Sequence, residues 1–334
     1  MKALVIEEPY KAAIKELPYP KPGKDEVTIK VKRVGICGTD VHIFKGEFLS
    51  PYPIVPGHEF AGEIEEAGEN VAAFQKGDRV SADPSLFCGA CQFCLTNRGN
   101  HCENWGAIGN TVDGSMAEYV RVPAKNAVKL PDDMSFETGA FIEPIACVVH
   151  GMNRLQLKTG DRVILFGAGA MGQQLVQAMK SAGASEIVVV DLSKEKLDLA
   201  LKSGATKGVL SKDLNGLESL GERYGYDVVV DATGIPAVIE QAFQYMGPTA
   251  KYLQFGVTPE NSEVKIDPFK VYNKDWTILG SMAINHTFIP AFHWLKAGRI
   301  NVKPLVSQTL SLEETIAFLN DKPDPSLLKT QIAL

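Results

Sequence analysis

The motif Gly-Ala-Gly-Ala-Met-Gly at residues 167–172 is the feature that most restricts how this chain can fold. An apolar, β-branched run at 162–166 leads into it, and a helical pattern at 172–182 leads out of it. In such a unit Gly167 allows a tight turn, Gly169 lets the backbone approach a pyrophosphate, and Gly172 lets helix and strand pack closely. The motif therefore predicts a dinucleotide site at a helix N-terminus. A glycine-rich turn without a ligand is the alternative.

Further β-branched runs alternate with amphipathic helices after this motif. They comprise residues 186–190, 227–231, 251–255 and 276–279. Continuous runs of this kind, separated by helices, are typical of a parallel sheet covered on both faces. We therefore expect an α/β fold that contains a doubly wound Rossmann domain.

The second predicted strand ends at Asp191, which bears on the choice of dinucleotide. An acid at this place can accept hydrogen bonds from both ribose hydroxyls and repels a 2′-phosphate. This favours NAD over NADP, and the next residues offer a phosphate one lysine, Lys194, and no arginine. We assign four more residues to the cofactor site: Ala170, Met171, Thr233 and Gly256.

The chain before about residue 130 reads differently, with short alternating stretches such as 26–32 separated by Gly and Pro turns. This pattern predicts a β-rich domain. Helices are predicted from Ser135, as N-cap, to Leu155, and from 288 to 297. At 334 residues the chain is long for one hydrophobic core, so two domains are expected.

The charge balance and the apolar runs exclude several classes of protein. A formal net charge of −6 with no basic stripe gives no basis for nucleic-acid binding. No apolar run approaches the ~18 residues that a membrane span needs. Acidic residues at positions 7 and 8 leave too short an apolar stretch for a signal peptide. We therefore expect a cytoplasmic protein with reduced thiols and with neither a membrane nor a nucleic-acid partner.

A cluster of cysteines indicates a metal site. Its members are Cys88, Cys91, Cys94 and Cys102, four of the six cysteines in the chain. Four thiolates form the closed tetrahedral arrangement of structural zinc, which leaves no position for a substrate. We therefore predict a structural zinc lobe over residues 84–104. An iron–sulfur cluster, disulfides and buried free thiols are the alternatives; iron–sulfur runs often end in proline, whereas Glu103 follows here.

A second set of ligand residues lies in two separate segments. Cys37 lies in Gly-Ile-Cys-Gly-Thr-Asp, and His58 and Glu59 lie in Gly-His-Glu-Phe-Ala-Gly. A thiolate, an imidazole and a carboxylate leave zinc an open position for a substrate. Taken singly, Cys37 is more often a core cysteine and His58 a loop histidine. Their joint occurrence among glycines indicates a catalytic zinc site.

The segment from Gly57 to Val71 reads Gly-His-Glu-x-x-Gly-x5-Gly-x-x-Val, the zinc-site signature of the medium-chain dehydrogenase/reductase family. The cysteine cluster and the glycine motif follow in that family's order, so the whole chain resembles its zinc-dependent alcohol dehydrogenases. The resemblance implies a GroES-like catalytic domain from residues 1–146 and 284–334, with a Rossmann NAD-binding domain at 147–283. It also implies two zinc ions per chain, NAD as cofactor, and a homo-oligomer, either a dimer or a tetramer.

By this resemblance Cys37 and His58 bind the catalytic zinc, and Glu59 matches a residue that ligates it in some members and supports it in others. Classical alcohol dehydrogenases supply another cysteine where this chain has Glu143. That substitution resembles the polyol branch (sorbitol, xylitol and arabinitol dehydrogenases), where this Glu ligates zinc or holds its water. Cys147 is interpreted as a packed helix residue.

The resemblance also implies a proton path. Thr39 receives the hydroxyl proton and passes it through the cofactor ribose to His42 at the surface. Asp40 resembles the acid that orients the ligand His58. For His42, an ordinary exposed histidine is the alternative.

The substrate is predicted only as a class, a secondary alcohol. Within that class the first choice is a polyol that is oxidised to the ketose. Sorbitol dehydrogenases carry an Arg-Tyr pair in the stretch that matches 280–287, and this chain has no Arg there, which argues against sorbitol itself. Phe44 and Phe87 are either pocket walls or core aromatics, and Lys45 is the one nearby candidate for binding a substrate phosphate. A phosphorylated sugar alcohol, a butanediol-type diol and L-threonine are the alternatives.

Two other kinds of protein fit the fold. One is a zinc-free quinone or enoyl reductase, and the other is a non-enzymatic NAD-binding protein of the crystallin or sensor type. The intact zinc ligands argue against the first, and the intact glycine motif argues further against the second. An edge strand near residues 276–279 would extend a sheet across subunits in a homo-oligomer.

Overall fold

The computed structural model describes residues 1–48, 50–214, 224–321 and 324–334. The chain divides into two compact units. The first consists of Met1–Ala146, Ile284–Lys296 and Val302–Leu334, and the second of Cys147–Ala283 and Ala297–Asn301. Among the described residues, no helix combines the length and the apolar character needed to cross a membrane.

Strands predominate in the first unit, whereas strands alternate with helices in the second. The strands are β1 (Lys2–Glu8), β2 (Lys11–Glu16), β3 (Glu26–Gly35), β4 (Glu59–Ala67), β5 (Arg79–Ala82), β6 (Ser85–Leu86), β7 (Gly106–Ala107), β8 (Tyr119–Pro123), β9 (Ala127–Lys129), β10 (Arg162–Phe166), β11 (Glu186–Asp191), β12 (Lys207–Leu210), β13 (Tyr226–Asp231), β14 (Met246–Gln254), β15 (Thr277–Gly280), β16 (Val306–Leu310) and β17 (Lys329–Ala333). The helices are α1 (Gly38–Lys45), α2 (Gln92–Leu95), α3 (Phe136–Gly139), α4 (Ile142–Leu155), α5 (Ala170–Ala182), α6 (Lys194–Ser203), α7 (Pro236–Ala242), α8 (Pro268–Asn273), α9 (Phe288–Lys296) and α10 (Glu314–Asn320).

The first unit is built around a sheet with the strand order β16-β17-β3-β4-β5-β9, in which β8 pairs with the first half of β3. Every pair in it is antiparallel except β16 with β17. The register sets Gly35 of β3 opposite Glu59 of β4 and opposite Gln331 of β17. The end of β3 therefore lies beside the first residues of both neighbouring strands. The site described below lies at this end of the three strands.

The second unit contains a parallel sheet with the strand order β12-β11-β10-β13-β14-β15. The order reverses between β10 and β13, which makes a crevice at the carboxyl ends of these two strands, where α/β folds bind ligands. The predicted fold class, a β-rich domain together with a separate doubly wound parallel sheet, is confirmed. Strand β12 was not predicted, since its sequence Lys-Gly-Val-Leu has only two consecutive apolar residues.

The helix predicted from Ser135 to Leu155 is two helices, α3 and α4, interrupted around Ala140 and Phe141. Ser135 is the N-cap of α3, as expected, and its side chain accepts a hydrogen bond from the Thr138 amide. The one-helix prediction was wrong because both interrupting residues are apolar and fit a helical pattern. In the structure Ala140 and Phe141 are buried at 1% exposure each.

Candidate functional site

Three side chains meet at the end of strand β3 in the sheet of the first unit. Their ligand atoms, one each from Cys37, His58 and Glu59, all lie within 4.8 Å of one another. Cys37 is the N-cap of α1, two residues after the end of β3, while Glu59 begins β4. His58 and Glu59 are buried, with 5% and 2% exposure, and Cys37 is partly exposed. The structure thus brings together the two segments that the sequence placed about twenty residues apart.

Asp40 ties these two segments to each other. Its carboxylate is fully buried and accepts hydrogen bonds from the Cys37 amide at 2.8 Å and from the Gly57 amide at 3.0 Å. The expected role was to orient His58. The Oδ1 of Asp40 lies 3.6 Å from His58 Nδ1, close enough for a charge interaction but beyond hydrogen-bond length, and no described residue forms a hydrogen bond with Nδ1. In this structure Asp40 therefore fixes the backbone on either side of the cluster.

Glu59 has a partner that the sequence analysis missed. The ammonium of Lys329, at the start of β17, lies 2.8 Å from each carboxylate oxygen and also donates to the Ile36 carbonyl at 3.2 Å. Burial opposes the charged form of Lys329, but the Glu59 carboxylate outweighs it and raises the pKa of the lysine. A Cβ at Gly35 would lie 2.1 Å from Glu59 Oε2, so glycine is required there for this carboxylate to fold over the strand.

Glu143 is buried near the cluster without belonging to it. It is the second residue of α4 and is 9% exposed, and it is not one of the three residues whose ligand atoms converge. Burial raises the pKa of its carboxyl to about 7, against the opposing effect of His58. A carboxyl that changes protonation near neutral pH is typical of functional sites.

The chemistry of these residues fits zinc. A cysteine sulfur, an imidazole nitrogen and a carboxylate oxygen are the donors of zinc sites that keep a position open. Burial alone would lower the pKa of His58, but Asp40 and Cys37 outweigh it and raise that pKa well above its ordinary value. The surroundings of His58 therefore favour a positive charge.

The residues assigned to the proton path lie on α1. Thr39 Oγ1 is 3.7 Å from Cys37 Sγ, so this hydroxyl borders the cluster. His42 is exposed on the next turn, and its Nδ1 lies 2.7 Å from Glu47 Oε2. Glu47 was not predicted as a partner; its position five residues after His42, beyond the helix end, gave no sequence signal.

The two candidate wall aromatics have different environments. Phe44 is 1% exposed and packs edge-on against Tyr10, so it is a core residue. Phe87 is partly exposed and its ring meets that of His286 at 5.5 Å between centroids. His286, which had no assigned role, has a backbone φ of 57°, a conformation uncommon outside glycine. Lys45 is exposed at the end of α1.

The cysteine lobe has the geometry of a four-thiolate site. All four sulfurs, those of Cys88, Cys91, Cys94 and Cys102, lie within 4.8 Å of one another. Sulfur atoms are 3.9 Å apart between Cys88 and Cys94 and 4.0 Å apart between Cys91 and Cys102. A tetrahedron with Zn–S bonds of about 2.3 Å separates its sulfurs by about 3.8 Å. The Ala90 and Cys91 amides point at Cys88 Sγ and lower the pKa of that thiol to about 6.

The glycine motif forms a turn between β10 and α5 in the second unit. Gly167 has φ +100°, a conformation that favours glycine, and a Cβ at Gly172 would lie 2.0 Å from the Gly167 carbonyl oxygen. A Cβ at Gly169 would meet nothing within 4 Å, so open space faces the N-terminus of α5 there. Ala170 and Met171 form the first residues of this helix.

Asp191 lies at the carboxyl end of β11, beside this turn. Its Oδ2 accepts a hydrogen bond from the Ala168 amide at 2.6 Å, and its Oδ1 accepts one from the Ser193 amide at 2.8 Å. The carboxylate therefore also shapes the turn, a role that the sequence analysis did not assign. Thr233 and Gly256 follow β13 and β14, the two strands that lie on the other side of β10 in the sheet.

Comparison with known proteins places the chain among dehydrogenases. Residues 23–132 match the family model of the alcohol dehydrogenase GroES-like domain, and residues 170–297 match that of zinc-binding dehydrogenases. The chain is 33% identical to D-arabinitol dehydrogenase 1 of Uromyces fabae over 338 residues, which cover 99% of this chain and 97% of the relative.

Two further proteins are similar over most of the chain. One is L-threonine 3-dehydrogenase of Idiomarina loihiensis, 34% identical over 304 residues that cover 88% of each sequence. The other is a solved structure, described as a zinc-binding dehydrogenase from Sinorhizobium meliloti 1021 bound to NADP. It superposes with a TM-score of 0.97 at 32% identity and covers 100% of this chain and 99% of that chain.

Proposed function

We propose a substrate class and a cofactor for this chain. The chain belongs to the family of zinc-binding alcohol dehydrogenases and is therefore an oxidoreductase that acts on alcohols. The proposed reaction is the NAD-dependent oxidation of a secondary hydroxyl of a polyol to the ketone. The observation that carries the proposal is the convergence of Cys37, His58 and Glu59 within 4.8 Å at a buried edge.

Cys37 and His58 are proposed to hold the catalytic zinc, with Glu59 and Glu143 as the carboxylates that complete or support the site. A zinc ion supplies Lewis acidity toward a hydroxyl oxygen, and NAD supplies the hydride acceptor. Asp40 keeps the two ligand segments at a fixed separation through the Cys37 and Gly57 amides. Thus the chain presents its ligands already oriented.

Proton removal is assigned to α1. Thr39 Oγ1, which borders Cys37, is proposed to take the hydroxyl proton, and His42 is proposed to release it to solvent. His42 suits the second role because its side chain is 48% exposed and its Nδ1 already contacts Glu47. A carboxylate on one ring nitrogen leaves the other free to accept a proton.

NAD is proposed in preference to NADP because the Asp191 carboxylate ends β11, where it would repel a 2′-phosphate. Gly167, Gly169 and the N-terminus of α5 are proposed to accommodate the pyrophosphate. The solved relative from Sinorhizobium meliloti is bound to NADP, so both cofactors belong in the test.

A polyol is proposed as the substrate on two grounds. Glu143 occupies the position at which the polyol branch carries a glutamate, and a relative 33% identical is a D-arabinitol dehydrogenase. L-threonine is the second candidate, since a relative 34% identical is an L-threonine 3-dehydrogenase.

The test is turnover of zinc-replete protein with NAD or NADP and a panel of alcohols, followed by nicotinamide absorbance. The panel holds xylitol, sorbitol, ribitol, D- and L-arabinitol, their phosphates, butanediol and L-threonine. We expect NAD-linked turnover of a pentitol or hexitol that is lost in Cys37→Ala and retained in Cys147→Ala. Turnover of threonine or butanediol alone would overturn the polyol assignment, and loss of activity in both variants would deny Cys37 a special role.

A further inference from the structure

A buried carboxylate at the end of β13 has no part in the functions described so far. Asp231 is 0% exposed, and four donors converge on its side chain. Oδ1 accepts hydrogen bonds from the amide and the hydroxyl of Thr233, at 3.2 and 2.6 Å. Oδ2 accepts from the Gly234 amide and from Gln254 Nε2, both at 2.9 Å. The side chain thus determines the turn that follows its own strand.

The same residue also holds the turn that follows β14. The Asp231 carbonyl accepts hydrogen bonds from the Phe255 amide at 3.0 Å and the Gly256 amide at 2.9 Å. Gln254 Nε2 bridges the two turns, since it donates to Asp231 and, at 2.6 Å, to the Gly256 carbonyl. A Cβ at Gly256 would lie 2.3 Å from the Gly234 amide nitrogen, so the two backbones are in direct contact.

These turns lie beside the glycine motif. A Cβ at Gly167 would meet Thr233 Cγ2 at 3.1 Å and the Ala232 backbone at 3.2 Å. The turns after β10, β13 and β14 therefore pack together at the carboxyl edge of the sheet, next to the point where the strand order reverses. This is the edge at which α/β sheets bind their ligands.

A carboxylate is chemically specific for this task. Within the described part of the chain, no lysine, arginine or histidine forms an ion pair with Asp231, so N–H and O–H donors alone satisfy its charge. An asparagine would offer one acceptor oxygen and would point an NH₂ group at donors on the other side. A buried donor facing a donor leaves both unsatisfied.

We infer that Asp231 is a positioning residue for the dinucleotide, because it fixes the turns that carry Thr233 and Gly256 while remaining covered by them. The inference rests on the proposed dinucleotide site. It adds that the side chain of Asp231, which the sequence indicated only as the end of a strand, sets the geometry of two binding turns.

The test compares Asp231→Asn with Asp227→Asn in zinc-replete protein. Asp227 is the control for the same substitution on the same strand: it is exposed at the opposite end, where its Oδ2 accepts a hydrogen bond from the Arg162 amide at 2.8 Å. The Kd for NADH is measured by fluorescence titration, together with the KM for NAD, the KM for the alcohol at saturating NAD, and zinc content.

We expect Asp231→Asn to raise the Kd for NADH and the KM for NAD at least tenfold, with the KM for the alcohol and the zinc content unchanged. Asp227→Asn should stay within twofold of the parent. Equal NADH affinities for the two variants would overturn the inference, and so would a parallel loss of zinc or of alcohol affinity, which marks a general structural role.

Gln254→Leu keeps the inference testable if Asp231→Asn does not fold. Gln254 is not assigned to the cofactor site, and the substitution removes the amide that donates to Asp231 Oδ2 and to the Gly256 carbonyl, so it should weaken NADH binding about fivefold, the effect of one hydrogen bond. Unchanged affinity in this variant would overturn the inference. Failure of the parent protein to bind NADH or NADPH would instead overturn the proposed function itself.

Discussion

The ammonium of Lys329 lies 2.8 Å from both carboxylate oxygens of Glu59, and the two side chains are only 6% and 2% exposed. Two opposite charges removed from water in this way depend on each other, because either one alone would be buried without compensation. Glu59 is also one of the three converging ligand residues. The Lys329–Glu59 ion pair therefore links the stability of this end of the sheet to the metal site.

Replacing Lys329 with methionine is therefore expected to lower the free energy of unfolding of the zinc-free protein by about 3 kcal/mol, the cost of one unpaired buried charge. Urea denaturation measures this change. Lys76→Met is the control, since Lys76 pairs with Glu65 but is 72% exposed, and it should change the free energy of unfolding far less. Adding Glu59→Gln to Lys329→Met should recover most of the loss; no recovery would show that the lysine acts through packing alone.

The raised pKa of Glu143, about 7 against an ordinary 4.5, predicts a pH-dependent stability of the zinc-free protein. Between these values the folded protein holds a proton that the unfolded chain has released, so stability falls as the pH rises from about 4.5 to about 7. The full shift corresponds to on the order of 3 kcal/mol. Glu143→Gln should remove this loss, so that the variant gains stability relative to the parent between about pH 4.5 and pH 7 in urea denaturation. A constant difference between the two proteins at all pH values would contradict the assignment.

The cysteine lobe is expected to hold one of two zinc ions. Cys102→Ser, which changes a buried member of the cluster, should reduce bound zinc from two ions to one per chain and lower the Tm. Turnover at low temperature should persist, because a closed site has no position for substrate. Elemental analysis and calorimetry check this, with Cys147→Ser as the control that keeps both ions. Loss of both zinc ions in Cys102→Ser would show that the two sites are not independent.

Asp191→Ala is expected to raise the ratio of kcat/KM for NADP to that for NAD at least tenfold, because the repulsion of a 2′-phosphate disappears. Activity with NAD should also fall, since the Ala168 amide loses its acceptor. Asp198→Ala is the control, as this carboxylate is 52% exposed on α6. An unchanged ratio of the two cofactors would remove Asp191 as the determinant of the preference.

A homo-oligomer is proposed through β15, which forms the edge of the parallel sheet among the described strands. Ile278 on this strand is 44% exposed, and an exposed apolar edge strand favours pairing with another copy. Ile278→Lys is therefore expected to shift the mass in solution, measured by light scattering, toward the monomer. Ile289→Lys on α9 is the control at 49% exposure. The same mass for the parent and both variants would place the interface elsewhere.

Local patterns predicted much of the fold. The run 162–166 became β10 with the same bounds, and the other predicted strands of the parallel sheet lie within a residue or two of β11, β13 and β15. Strand β14 begins at Met246, five residues before the predicted run. Its first part was missed because Gly247 and Pro248 are residues that strands usually exclude. Periodicity identifies elements with strong apolar patterns and fails for short or polar ones.

The site shows the same division between local and distant information. Glycines and a fixed spacing marked Cys37, His58 and Glu59, so their convergence could be anticipated. Lys329 could not be, since it lies 270 residues from Glu59 along the chain and its neighbours form an ordinary short strand. Asp231 gave only the signal of a strand end, and its role depends on turns that the sequence does not bring together.

The strand that carries Lys329 has a consequence for how the protein is made. Translation at about 5–20 residues per second separates the synthesis of Glu59 from that of Lys329 by roughly 15 to 50 seconds. During that interval β3 lacks its neighbour β17, and the whole second unit emerges from the ribosome before the first can close its sheet. Until β17 is made, the first unit therefore has an unpaired edge at β3 and no counter-charge for the Glu59 carboxylate. A delay or truncation in this last segment would prolong that incomplete state, which chaperones would bind.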